Sequence, residues 1–272
     1  MVVDYNNPQN VYGVAQVTGF FKSANGGQTW SSNPFMSGLP FPTTFTSIVI
    51  DPANSNTLYI GTFAGVFKSV DAGSNWTVSK FGLTDTTVQG LAIDPKAPTT
   101  IYAVEERGFF ESINGGQNWT PAGAIGLPTS MIFNVLAIGP LNTNTLYCGA
   151  DGGVFRSTNG GQTWTPANSG LVAPSVKGGS GVPDIQTLAI DPVNSNTIYA
   201  GTVTGSTAAG NGVFKTTNGG QTWTAVNSGL TTPNILVLAI DPTNPVTLYA
   251  GTDAGVFIST NGGQSWQLSG SQ

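Results

Sequence analysis

Apolar residues along this chain fall in short β-like runs separated by clusters of Asp, Asn, Gly and Pro, and no stretch has the period of a helix. The segment 235–269, ILVLAIDPTNPVTLYAGTDAGVFISTNGGQSWQLS, holds four such runs: LVLAID, TLYAGT, GVFIST and WQLS. Asp-Pro with Asn, then Asp with Gly, then Asn-Gly-Gly mark the turns between them. The same order returns six times along the chain. Its period of about 45 residues lies in the range of propeller blades. The pattern predicts an all-β fold: a six-bladed β-propeller of four-stranded antiparallel blades, one domain over residues 1–272. The blades fall at about 2–33, 47–80, 88–121, 133–167, 185–226 and 235–269. Blade 1 opens on a shortened strand, and no terminal strand completes the blade at the other end. Closure is therefore expected from face-to-face packing of blades 1 and 6, unless the chain is a piece of a longer array.

The turn before the fourth run is an octet: SANGGQTW at 23–30, SVDAGSNW at 69–76, SINGGQNW at 112–119, STNGGQTW at 157–164, TTNGGQTW at 216–223 and STNGGQSW at 259–266. Its Asx position is Asn25, Asp71, Asn114, Asn159, Asn218 and Asn261, five amides and one carboxylate. An acid catalyst or a strong calcium ligand needs charge, which Asn lacks. A turn needs only a short acceptor for backbone N–H groups, and either residue serves. The closing Trp (Trp30, Trp76, Trp119, Trp164, Trp223, Trp266) is then an apolar wedge entering the fourth strand. The octet is expected to be a structural joint.

The octet resembles the Asp-box, or BNR repeat, S/T-x-D/N-x-G-x-T-W, in all six copies. Families that carry it include sialidases, two-propeller xyloglucanases, sortilin-type receptors and the photosystem II assembly-factor group. The AIDP…TLYAGT…GVFKSTNGGQTW style is most similar to the last group and to the xyloglucanases. The resemblance implies a propeller with a sialidase-like fold; it says little about chemistry, because function sits in sites grafted on folds.

Composition removes several functions. There is no His, so the commonest general base and His metal sites are absent. A single Cys, Cys148, allows neither an internal disulfide nor a thiolate cluster. With 8 Lys and Arg, a net charge of −5 and no basic run, nucleic acid is not an expected partner. No apolar run is long enough for membrane insertion. No cofactor or metal is expected: DPANSN and DPVNSN lack the Gly and distant Glu of calcium loops. The low-Lys, Asn/Thr/Ser-rich make-up resembles exported proteins with the leader removed, and a monomer is expected.

Repeat position accounts for most aromatics. Tyr12, Tyr59, Tyr102, Tyr147, Tyr199 and Tyr249 sit in second strands, and Phe21, Phe67, Phe110, Phe155, Phe214 and Phe257 close the third-strand motif. All read as core, which leaves no Trp for stacking a sugar. A sialidase needs three Arg on the substrate carboxylate, and this chain has only Arg107 and Arg156. Arg156 occupies the slot of Lys68 and Lys215 and reads as a surface strand residue. Xyloglucanases place two carboxylates across a cleft between two propellers, so this chain could be half of such an enzyme. The repeated IDP aspartates, Asp51, Asp94, Asp191 and Asp241, read as turn initiators.

Function is expected where the copies differ. Loops between second and third strands share one face, the upper one, with the connections between blades. Two insertions map there: 171–184, between blades 4 and 5, and 203–212, inside blade 5. The candidate binding rim is Glu105, Glu106, Arg107, Asp151, Asp184, Asp253, Ser206 and Asn211. An apolar segment, 33–45 with Phe63, is a second contact candidate. The sequence thus points to a non-catalytic binding or scaffolding propeller whose partner is a protein or a carbohydrate. The alternatives are one propeller of a xyloglucanase-like hydrolase and a lectin-like glycan binder.

Overall fold

Each predicted run becomes a strand. The computed structural model describes residues 1–15, 19–33, 37–40, 42–84, 86–105, 108–128, 130–172, 181–204 and 210–269. Over them the chain forms six antiparallel four-stranded sheets and no helix, a six-bladed β-propeller whose strands follow sequence order in every blade. Blade 1 contains β1 (Val2–Val3), β2 (Val11–Ala15), β3 (Gly19–Ser23) and β4 (Ser31–Asn33). Blade 2 contains β5 (Phe45–Ile50), β6 (Leu58–Thr62), β7 (Gly65–Ser69) and β8 (Thr77–Val78). Blade 3 contains β9 (Val88–Ile93), β10 (Ile101–Glu105), β11 (Gly108–Ser112) and β12 (Thr120–Pro121). Blade 4 contains β13 (Phe133–Ile138), β14 (Leu146–Ala150), β15 (Gly153–Ser157) and β16 (Thr165–Pro166). Blade 5 contains β17 (Asp184–Ile190), β18 (Ile198–Val203), β19 (Val213–Thr216) and β20 (Thr224–Ala225). Blade 6 contains β21 (Ile235–Ile240), β22 (Leu248–Thr252), β23 (Gly255–Ser259) and β24 (Gln267–Leu268). Two compact units result: Met1–Ala124 with blades 1 to 3, and Ile125–Gln272 with blades 4 to 6.

The octet closes on itself. In blade 4 the Ser157 hydroxyl donates to Asn159 Oδ1 at 2.9 Å and accepts the Gly161 N–H at 2.9 Å; Asn159 Oδ1 also accepts the Thr163 N–H at 3.0 Å. The other five boxes repeat the pattern. Both box glycines take positive φ, 67° and 85° in blade 4. Blade 2 holds Ala72 at φ 57° in the first of these places, a strained choice for a residue with a Cβ. The Ser/Thr and Asx side chains of the turn are spent inside it, as a joint requires. The IDP aspartates act likewise: Asp51, Asp94, Asp191 and Asp241 each accept the N–H two residues on.

Within each unit the core lies in the seams between consecutive blades. Blades 2 and 3 share a cluster of Tyr59, Val66, Val88, Leu91, Ile101, Ala103, Phe110 and Trp119. Tyr59 Oη and Lys68 Nζ of blade 2 both donate to the box carbonyl of Gly115, each at 3.0 Å, and Trp119 Nε1 returns a bond to Ser79 O at 2.7 Å. The seam of blades 5 and 6 repeats this with Tyr199, Lys215 and Gly262, and with Trp266 Nε1 to Val226 O. In the seam of blades 4 and 5, Tyr147 Oη donates to Gly219 O at 3.2 Å and Trp223 Nε1 to Ala167 O at 2.8 Å. Arg156 is not the surface residue expected: it is partly buried, with its guanidinium 5.9 Å from the centre of the Tyr147 ring. A cation lies over the tyrosine in blades 1, 2, 4 and 5. In blades 3 and 6 the residue paired with the tyrosine is Glu111 and Ile258.

Three aromatics depart from the expected core. Trp30 is 42 % exposed, whereas the other box tryptophans are 2–3 % exposed. Tyr249 is 39 % exposed, against at most 5 % for the other five second-strand tyrosines. In blade 1, Phe20 is buried and Phe21 only partly so, because Phe20 packs edge-on against Trp76, its ring centre 5.6 Å away.

Candidate functional site

At the upper end of blades 2 to 6 the first strand slips register against the second, a β-bulge at the mouth of each blade. Bulges favour sheet rims, where they re-aim side chains. Upper loops and interblade connections meet there. In the second unit they bring together most of the described candidate residues.

Asn211 links the two insertions. Its Nδ2 donates to Val172 O at 2.9 Å, so the loop inside blade 5 touches the start of the connection from blade 4. Its own carbonyl accepts Asn227 Nδ2 at 2.7 Å, and Asn227 Oδ1 accepts the Val213 N–H at 2.7 Å. On its other side the loop is tied to the connection into blade 6. Thr204 N–H donates to Asn234 Oδ1 at 2.9 Å, and Gly212 N–H donates to Pro233 O at 3.0 Å. Asn234 Nδ2 reaches Asp253 Oδ2 at 3.3 Å, and the Thr232 hydroxyl donates to Asp253 Oδ1. These bonds, Thr232 first and then Asn234, hold the Asp253 carboxyl below its ordinary pKa. Between the ties lies an open groove of about 220 Å³, lined by Asn211, Asn227, Leu230, Thr231, Thr232 and Pro233.

Asp151 and Asp184 meet at the junction of blades 4 and 5, where their backbones form an isolated antiparallel bridge. Asp151 Oδ1 accepts the Ile132 N–H at 2.7 Å. Burial raises the Asp151 pKa and the Asp184 charge adds to the rise, against the Ile132 bond. The rim therefore offers a partly buried carboxyl with a raised pKa, Asp151, plus amides and hydroxyls, whereas Asp184, expected on the rim, is buried behind it. Such groups match the hydrogen-bonding demands of a peptide backbone or of sugar hydroxyls. Among the described residues no group of three or more His, Cys, Asp or Glu could hold a metal ion. Nor is any helix there long and apolar enough to cross a membrane.

Glu105 is placed differently from the expectation. It belongs to the first unit and is fully buried in β10, where it accepts the Thr84 hydroxyl at 3.2 Å. A charged letter at a loop mouth suggested an exposed rim; the bulge between Val104 and Glu105 accompanies an inward carboxyl. Glu106, Arg107 and Ser206 lie outside the described residues. Of the apolar segment, Phe45 is core, Leu39 packs on the same cluster and Phe63 is exposed. Sequence reasoning missed Asn168 and Asn227. Each caps its blade by accepting a third-strand N–H, of Val154 and of Val213, and donating back to the loop before it. The repeated NSGL after the fourth strand, at 168–171 and 227–230, was the available signal.

The sequence matches the family described as DUF6242 beta propeller domain over residues 1–253, and the BNR/Asp-box repeat over 257–268. No curated protein matches the chain. Among solved structures it is similar to the GH74 xyloglucanase from Xanthomonas campestris, with a TM-score of 0.74 at 18 % identity, covering 97 % of this chain and 46 % of that one. It is also similar to YCF48 bound to D1 peptide, at 0.52 and 15 %, covering 86 % of each chain. YCF48 from Cyanidioschyzon merolae gives 0.59 and 16 %, covering 98 % of this chain and 82 % of that one. The chain spans less than half the length of the GH74 chains it resembles. At these identities the likeness is one of fold.

Proposed function

The chain belongs to the DUF6242 β-propeller domain family, and from that premise we propose that it is a non-catalytic binding propeller, a single six-bladed domain that holds a protein segment at the upper rim around blade 5. The Asn211–Val172 bond carries this reading, because it fuses both departures from the repeat into one edge. That edge flanks a groove lined by no aromatic residue and, apart from Gly212, Leu230 and Pro233, by polar side chains. Extended peptides bind through main-chain hydrogen bonds, which Asn and Thr side chains can answer. A propeller of similar fold has been solved with a peptide bound. The surface composition, poor in Lys and rich in Asn, Thr and Ser, fits an extracytoplasmic setting.

The second reading is one propeller of a xyloglucanase-like hydrolase. It is favoured by the similarity to part of the GH74 chains. The test is binding of the wild type and a 205–209 deletion to an immobilised peptide array and a glycan array, with a xyloglucan hydrolysis assay beside them. A set of peptides retained by the wild type and lost by the deletion, at nearly equal melting temperatures, is the expected result. Peptide binding that survives the deletion removes blade 5 from the site. Hits on glycans alone, or release of sugar from xyloglucan, move the assignment to the second reading.

A further inference from the structure

The connection that leaves blade 2 departs from the repeat. In each connection the residue before a positive-φ glycine is Ser37, Phe81, Ile125, Ser169 or Ser228. Its backbone carbonyl accepts the N–H of the next box tryptophan every time. The joint thus uses only the main chain at this place, and serine serves it in both units. Phe81 nevertheless sets an aromatic ring there, 77 % exposed. The residue before it is Lys80, where blades 4 and 5 hold Asn168 and Asn227.

Lys80 and Phe81 wall an open groove of about 370 Å³ in the first unit, beside the seam of blades 2 and 3. Lys68 and Val78 continue the blade 2 side, and the box residues 115–117 of blade 3 form the other. Lys68 Nζ donates to Gly115 O at 3.0 Å and Lys80 Nζ to Ala64 O at 3.4 Å. Both acceptors are neutral, each ammonium has three donors, and no carboxylate lines the groove. In a chain of net charge −5 with 8 Lys and Arg, two cations at one groove make a positive spot on an acidic protein. Between them the wall is apolar: Val78 is 60 % exposed, and the Lys80 stem lies along it. The Ser79 hydroxyl is spent on Gly116 O. Beside the groove runs β8, which pairs with β7 alone. Ser79 N–H bonds to Val66 O, so Val78, one residue earlier, turns its amide and carbonyl away from β7 toward the open edge.

We propose that this groove binds an extended acidic peptide segment, with carboxylates at Lys68 and Lys80 and a neighbouring apolar side chain on Phe81 and Val78. Charge selects the acid, and the exposed ring beside the cations selects an apolar neighbour. The same lining disfavours a sugar chain: hydroxyls need acceptors as well as donors, and no Asp, Glu or Asn lines the groove. The open edge at Val78 suits an extended backbone, which pairs through its own amides and carbonyls. The groove belongs to the first unit and does not depend on the rim around blade 5.

The test is fluorescence anisotropy on the full chain with labelled heptapeptides that alternate Glu or Asp with Leu or Phe, each beside a copy with Gln or Asn in the acidic places. The acidic peptides should bind the wild type and weaken as salt rises, and the amide copies should bind about tenfold more weakly or worse. Phe81→Ser and Lys80→Asn copy the residues of blades 4 and 5, so both variants should fold, with an unchanged circular dichroism spectrum. Each should weaken the acidic peptides by about tenfold, and the double variant by more. Deletion of 205–209 should leave this binding unchanged, which separates the groove from the rim. Acidic peptides that do not bind, amide copies that bind equally well, or binding that survives in the double variant overturns the proposal. Binding of oligogalacturonate without binding of any acidic peptide also overturns it, and gives the groove to an acidic glycan.

Discussion

Lys215 Nζ lies 5.2 Å from the centre of the Tyr199 ring, and the two side chains converge on one acceptor, the carbonyl of Gly262, at 3.0 and 3.1 Å. The tyrosine thus holds the ammonium by its ring face and the next blade by its hydroxyl. Tyr199→Phe keeps the ring and removes one buried hydrogen bond, at a cost of about 1 kcal/mol. Tyr249→Phe alters an exposed hydroxyl and should stay within about 0.5 kcal/mol of wild type. Urea unfolding of both variants at low protein concentration checks the difference, and equal losses would mean that the hydroxyl bond contributes nothing.

The box tryptophans should divide in the same way. Trp223 is buried and its indole N–H is bonded to Ala167 O, so Trp223→Ala should cost about 3–5 kcal/mol. Trp30→Ala, at the exposed box, should cost about 1 kcal/mol or less. Thermal melts of the two variants give the comparison.

Asp71 is the one carboxylate among the boxes. Bonds from the Asn75 side chain and backbone and from Ser69 pull its pKa from 3.8 down to about 2. A carboxyl depressed by folding stabilises above its unfolded pKa, and that contribution is lost as pH falls through the folded value. Wild type should therefore lose this support between pH 4 and pH 2. Asp71→Asn, which copies the other boxes, should not. The gap between their urea midpoints should narrow across this window, and curves that stay parallel would place the acid sensitivity elsewhere.

Blade 2 carries Lys80 where blades 4 and 5 carry the capping Asn168 and Asn227. Lys80→Asn should supply the missing cap and raise stability by about 0.5–1.5 kcal/mol, the worth of a hydrogen bond or two. A lowered melting temperature would show that the Lys80 stem, packed against Gly65, contributes more than the cap.

The blades were legible because one octet repeats with fixed spacing and its Ser/Thr and Asx side chains bond within it. Asn25, Asp71 and the other Asx residues could be assigned to turns on chemistry alone. The exposure of Trp30 and Tyr249 was not legible, because each holds the same repeat position as five buried counterparts and the letters at that position do not differ. Glu105 misled for a different reason: burial of a carboxylate in a strand depends on register, and the slip after Val104 leaves no mark in the letters. Asn211 was found as part of an insertion, but its bond to Val172 joins segments far apart in sequence, and no local pattern announces it.

The cation over the tyrosine is present in blades 1 and 2 and gone in blade 3, then present in blades 4 and 5 and gone in blade 6. Above the blade there is thus a longer rhythm of three, and it ends where each compact unit ends, near Ala124 and at the C-terminal blade. The natural module for splitting, permuting or extending this protein is therefore a trio of blades, with Glu111 and Ile258 marking where one trio stops.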